Sequence, residues 1–98
     1  MRSDTVTFST AVRAVASEAR RLGLTVPAFR APPAVAGADR TIRRRAGDVV
    51  VAVRVRGRPL ADVVADVVEG VLVANSVPRA QDLAVRRCLL SAVESATL

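Results

Sequence analysis

Arginine is the residue type whose abundance and spacing could do chemistry in this chain. All 15 basic residues are Arg, and seven of them (Arg40, Arg43, Arg44, Arg45, Arg54, Arg56 and Arg58) fall between residues 39 and 58, against only Asp39 and Asp48. A guanidinium is planar, permanently charged and presents its N–H groups as a fork that matches paired phosphate or carboxylate oxygens. So many like charges in one short stretch repel each other, and they need either full hydration or an opposing anion. The next stretch, 59–75, has the opposite sign: Asp62, Asp66 and Glu69 with no base. The chain is therefore electrically polarised. Its pI near 11.6 overstates the basicity, because the net charge is only +6 and Arg keeps its proton far above neutral pH. A chain rich in Ala, Val and Arg and free of Lys is also what a GC-rich genome encodes.

Other chemistries find little footing. There is no histidine to ligate a metal or to activate a nucleophile, and Cys88 is the only cysteine, so no internal disulfide is expected. Cys88 reads as a buried structural thiol on an apolar stripe. Asp62 and Asp66 are spaced i, i+4, which on an exposed helix face usually means two solvated carboxylates rather than an acid–base pair. No glycine-rich phosphate loop of the known spacings occurs. The sequence points to a non-enzymatic protein with no cofactor, no metal and no evident small-molecule substrate.

The elements that must position the arginines can be read from periodicity. Ala11, Val12, Val15, Ala16, Ala19 and Leu22 recur at helical spacing, with Arg13, Ser17, Arg20 and Arg21 opposite, predicting a helix from Ser9 to Leu22 that ends at Gly23. Residues 25–39, with Pro27, Pro32 and Pro33, are expected to form a Pro-rich connecting loop that Phe29 folds back onto the core. Arg40–Arg45 and the β-branched run Asp48–Arg56, separated by Ala46-Gly47, predict an antiparallel β-hairpin. If the turn is the two residues Ala46-Gly47, Arg45 lies opposite Asp48, Arg43 opposite Val50 and Ile42 opposite Val51, whereas a three-residue loop would exchange the faces of the first strand. Strand parity then puts Ile42, Val49, Val51, Val53 and Val55 on one face and Arg43, Arg45, Arg54 and Arg56 on the other.

A helix follows over 60–74, with Val63, Val64, Val67, Val68, Val71 and Leu72 forming a wide apolar stripe and the three acids on another face. Asn75, Ser76 and Pro78 break it. A last helix is expected over 79–95, with Ala84, Val85, Cys88, Leu89 and Ala92 inward and Asp82 paired with Arg86. The predicted fold class is thus α+β. It is a single domain over 1–98 with the order αββαα, a single layer of helices on the valine face of a two-stranded hairpin, and residues 1–7 lacking order.

These positions support a reading of function. The outward Arg43, Arg45, Arg54 and Arg56, with Arg40, Arg44 and Arg58 at the margins, are expected to contact the phosphates of a nucleic acid. Single-strand binders stack bases on aromatic side chains, but Phe8 and Phe29 are the only aromatics here. Backbone contact with duplex DNA or structured RNA fits better. Val53-Arg54-Val55-Arg56-Gly57-Arg58 running into a valine-rich helix resembles the strand, Arg-Gly-Arg turn and helix of Alba-type chromatin proteins. That resemblance spans about twenty residues and implies nucleic-acid binding. The rest departs from it, with a proline-rich insertion after the first helix and a helix in place of the closing hairpin.

Two plainer readings stand beside this one. Charged edge strands deter aggregation, so the arginines could simply be a solvated face, some of them neutralised by the acids of the 60–74 helix. Ala and Val also supply 37 of the 50 apolar residues, a core of small side chains. A homodimer or another protein partner could then be needed to cover Val63, Val67, Val71 and Leu72. The opening Met1-Arg2-Ser3-Asp4 is not secretory in character and no stretch is apolar enough for a membrane, so a cytoplasmic location is the expectation.

Overall fold

A computed structural model describes residues 4–31 and 39–97 of the chain. The fold is α+β, with three helices and a three-stranded mixed sheet: α1 (Asp4–Arg21), β1 (Ala28–Arg30), β2 (Arg40–Arg45), β3 (Asp48–Val53), α2 (Leu60–Ala74) and α3 (Arg79–Thr97). The order is αβββαα rather than αββαα. Among the described residues no helix is long and apolar enough to cross a membrane.

Helix α1 starts at Asp4, five residues earlier than its periodicity suggested, which corrects the expectation that residues 4–7 lack an element. Phe8 explains the extension. It lies one turn before Ala11 and Val12, is buried, and joins the core cluster with Val15 and Ala19. At the other end Gly23 takes φ 77°. The Leu24 amide donates to the Ala19 carbonyl at 2.8 Å and the Gly23 amide to the Arg20 carbonyl at 3.0 Å, the paired bonds of a Schellman stop.

The hairpin has the register expected from a two-residue turn: Arg45 opposite Asp48, Arg43 opposite Val50 and Ile42 opposite Val51. Ala46 and Gly47 have φ of 50° and 88°, two consecutive left-handed residues as a type I′ turn requires. Strand β3 ends at Val53, three residues short of the predicted Arg56, although the Arg54 amide still donates to the Asp39 carbonyl at 2.8 Å.

The sheet has a third strand where a loop was expected. Ala28–Arg30 pairs in parallel with β3, setting Phe29 beside Val51 and Arg30 beside Ala52, so the order is β1-β3-β2. Asn75, the residue that ends α2, holds this strand's approach in place. Its Oδ1 accepts from the Thr25 amide at 2.8 Å, while its Nδ2 donates to the Thr25 and Val71 carbonyls, each at 2.8 Å. One side chain thus imitates a strand partner for Thr25 and caps the helix.

Helix α2 is the central packing element. Val63, Val67, Val68 and Val71 are each at most 2% exposed, and Val51 and Val53 opposite them are fully buried. Gly70 permits the close approach to the sheet: a Cβ there would stand 3.0 Å from both Val51 methyls and 3.1 Å from Phe29 Cε1. α1 and α3 pair with each other and both touch α2, so α2 makes the main helical contact with β3, where a uniform helical layer was expected. Leu89 and Val93 are the deeply buried residues of α3. Ala84, expected inward, is exposed. Asp82 does pair with Arg86, which donates Nε to Oδ1 at 3.1 Å, and Arg86 Nη1 also reaches Glu69 Oε1 on α2 at 2.9 Å. These contacts hold the Arg86 guanidinium above its ordinary pKa, the hydrogen bond to Asp82 most of all.

Candidate arginine surface on the sheet

The seven hairpin arginines divide according to which way their strands turn them. On β2, Arg40, Ile42 and Arg44 sit opposite Val53, Val51 and Val49, so they share the valine face that packs toward the helices. Ile42 adds to the core, and the two arginines reach over the sheet edge to α2. Arg40 Nη1 donates to Asp66 Oδ1 at 2.9 Å. Arg44 Nη2 donates to the Val73 carbonyl at 2.8 Å, satisfying an end carbonyl of α2 where the helix dipole is negative and α2 has no basic residue of its own. The sequence reading placed both at the margin of a binding face. They are instead part of the attachment between sheet and helix.

Arg58 turns inward as well. Its side chain is only 9% exposed, with Nη1 2.7 Å from Asp66 Oδ2. The same Nη1 donates to the Arg54 carbonyl at 2.7 Å and to the Asp39 carbonyl at 3.4 Å, which engages both of its hydrogens. Asp66 Oδ2 consequently has a close countercharge but no hydrogen bond of good angle. Asp66, expected as one of a solvated acid row, is 8% exposed and lies between Arg40 and Arg58. Asp39 completes the cluster, accepting from Arg54 Nε at 2.9 Å and Nη2 at 2.6 Å. Two aspartates therefore hold three of the seven arginines.

The opposite face of the sheet is different. In register it carries Ala28 and Arg30 from β1, Val50 and Ala52 from β3, and Thr41 and Arg43 from β2. All four edge-strand residues are exposed and the two central ones half-buried, so among the described residues no helix covers this face. Arg30 and Arg43 flank the central strand two residues apart in register. From strand spacing and rise, their Cα atoms are roughly 12 Å apart. Neither has an ion-pair or hydrogen-bond partner among the described residues, and the same holds for exposed Arg56 in the loop after β3. The side chain of Arg45 lies outside the described residues.

Of the four arginines predicted to face outward together, then, Arg43 and Arg56 are open and Arg54 is held by Asp39. Arg30 is the one sequence reasoning missed. Its signal was Ala28-Phe29-Arg30 with the aromatic turned inward, too short to stand out after Pro27.

The valine stripe proposed as an interface is internal to the chain. Val63, Val67 and Val71 are buried, and Leu72 is 3% exposed, so their cover comes from the rest of the fold. Cys88 is half-buried rather than enclosed, and it faces a shallow groove between α1 and α3 lined also by Ser17, Arg21 and Ser91. Set against protein-family models, curated proteins and solved structures, the chain has no match.

Proposed function

We propose that this chain is a non-enzymatic, polyanion-binding protein whose ligand is the phosphate backbone of a nucleic acid. Contact runs across the open face of the sheet, through Arg30, Arg43 and Arg56. The observation that carries this reading is the pair Arg30 and Arg43. They share one uncovered face, on strands either side of small residues, with no carboxylate of the described chain to neutralise them. Ala28, Val50 and Ala52 between them are short, so a backbone could approach closely. The face lacks aromatic side chains, so it offers no stacking platform for single-stranded bases. Charge contact with duplex DNA or structured RNA, weakly selective for sequence, is the mode these groups support.

Salt-dependent binding of a short duplex, followed by fluorescence anisotropy, tests the proposal. Three open guanidiniums predict a log–log slope of affinity on salt of roughly −3, at about 0.9 per phosphate. Replacing Arg30, Arg43 and Arg56 together by Gln should remove most of that slope, whereas Arg54→Gln should change it by less than one. Binding too weak to measure at low salt, or a slope unchanged in the triple variant, would overturn the proposal.

A further inference from the structure

A further oxyanion position lies at the end of the hairpin away from its turn, and the chain fills it with its own carboxylate. Asp39 directly precedes β2 and Arg54 directly follows β3. Their main chains are joined, the Arg54 amide donating to the Asp39 carbonyl at 2.8 Å, so the pairing of β2 with β3 holds the two residues side by side. The Arg54 guanidinium turns Nε and Nη2 onto one oxygen, Asp39 Oδ1, at 2.9 and 2.6 Å. The nearly buried Arg58 stands behind, with Nε 3.9 Å from Asp39 Oδ2. A phosphate oxygen would be met by the same donors. The contact is open to water, since the side chains of Arg54 and Asp39 are 41% and 51% exposed. An ion pair in that much water is held weakly, and another oxyanion can displace it.

We propose that Asp39 is a built-in competitor for phosphate, an internal carboxylate that withholds Arg54 from the ligand. The inference rests on the phosphate-backbone reading above and names a residue that sets its strength. The main chain of Asp39 is anchored apart from its side chain, so the carboxylate can leave without loosening the strands. Arg58 keeps a countercharge when it does, with Nη1 2.7 Å from Asp66 Oδ2. Arg54 and Arg56 flank the buried Val55, so a freed Arg54 joins the exposed Arg56 on the solvent side. Asp66 cannot play this part, because it is buried between Arg40 and Arg58, where an anion from solvent has no room to replace it. Asp39 therefore removes one phosphate contact from the end of the hairpin, and a ligand regains it only by outcompeting the carboxylate.

Asp39→Asn gives the test, since the amide keeps the size and the main-chain bond and loses the charge; circular dichroism checks that each variant folds. On a short duplex followed by fluorescence anisotropy, Asp39→Asn should bind roughly three- to fivefold more tightly at low salt. Its log–log salt slope should steepen by about 0.9, one phosphate. Asp62→Asn removes the same charge from an exposed site on α2 and should change affinity by less than about twofold. Adding Arg54→Gln to Asp39→Asn should return affinity and slope to those of Arg54→Gln alone. A gain no larger than that of Asp62→Asn, or one that survives the added Arg54→Gln, would overturn the inference and leave the phosphate-backbone reading intact. A second measurement needs no nucleic acid: the Arg54 Nε–H resonance followed through a titration with inorganic pyrophosphate. It should move at a lower concentration in Asp39→Asn than in wild type, by roughly the same factor. Equal concentrations, or no movement in either, would also sink the inference. The expected order without any duplex binding would uphold Asp39 as the competitor and overturn nucleic acid as the source of the phosphate.

Discussion

The two faces of the hairpin use the same side chain for opposite purposes. On the helix side, Arg40 and Arg58 converge on Asp66 while Arg44 binds the carbonyl end of α2. On the open side, Arg30 and Arg43 stand without such partners among the described residues. The difference lies in what the opposing element offers. α2 presents a carboxylate and its negative end to one edge of the sheet, and nothing described opposes the other face. Local charge density therefore does not mark a binding surface in this molecule. A guanidinium becomes available only where the fold leaves it without a countercharge.

Breaking the closed side should have the largest effect. Asp66→Ala leaves Arg40 and the nearly buried Arg58 facing each other, with Asp39 the one carboxylate still paired with Arg58 among the described residues. Losing one partner of a buried pair costs up to about 5 kcal/mol, and Arg40 is partly hydrated, so a loss of about 2–4 kcal/mol is expected in urea unfolding. Next comes Gly70→Ala. Helix propensity alone favours alanine by about 1 kcal/mol, but the added methyl meets fully buried Val51. Overpacking costs about 1–3 kcal/mol, so a net destabilisation of about 1 kcal/mol is expected, visible as a lower urea midpoint. A gain would show that sheet and helix are less tightly fitted than the contact implies.

Between the two faces, the turn should respond in the other direction. Ala46 carries a positive φ that asparagine tolerates better. Ala46→Asn should raise stability by about 0.5–1 kcal/mol without moving the register, as thermal unfolding and amide exchange across β2 and β3 would report. The smallest effect belongs to the open side. Arg30→Gln and Arg43→Gln should each change stability by less than about 0.5 kcal/mol. A larger loss would mean that these groups have a structural role after all.

How much of this was legible in the sequence follows the range of the interactions involved. The hairpin register was readable once the turn is taken as Ala46-Gly47, the two-residue case that the structure has, and the acid spacing correctly made a valine-rich run into a helix. Strand β1 was hidden. It has three residues, and its approach depends on Asn75, fifty positions from Thr25. Strand parity separated Arg40 and Arg44 from Arg43, yet it could not show which arginines Asp39 and Asp66 would hold, since those pairings depend on how α2 crosses the sheet. For Asp66 the i, i+4 spacing favoured a solvated acid, whereas the plainer reading, in which acids of this helix neutralise some of the arginines, is the one it follows, between Arg40 and Arg58.

Chemical-shift mapping with a short duplex tests the division between the two faces most directly. Titration of the labelled chain at low salt should move the backbone amides of Arg30, Thr41, Arg43, Val50, Ala52 and Arg56, with the Arg40, Arg58 and Asp66 signals staying in place. Shifts centred on α2 and the Asp66 cluster, or none at all, would contradict the account.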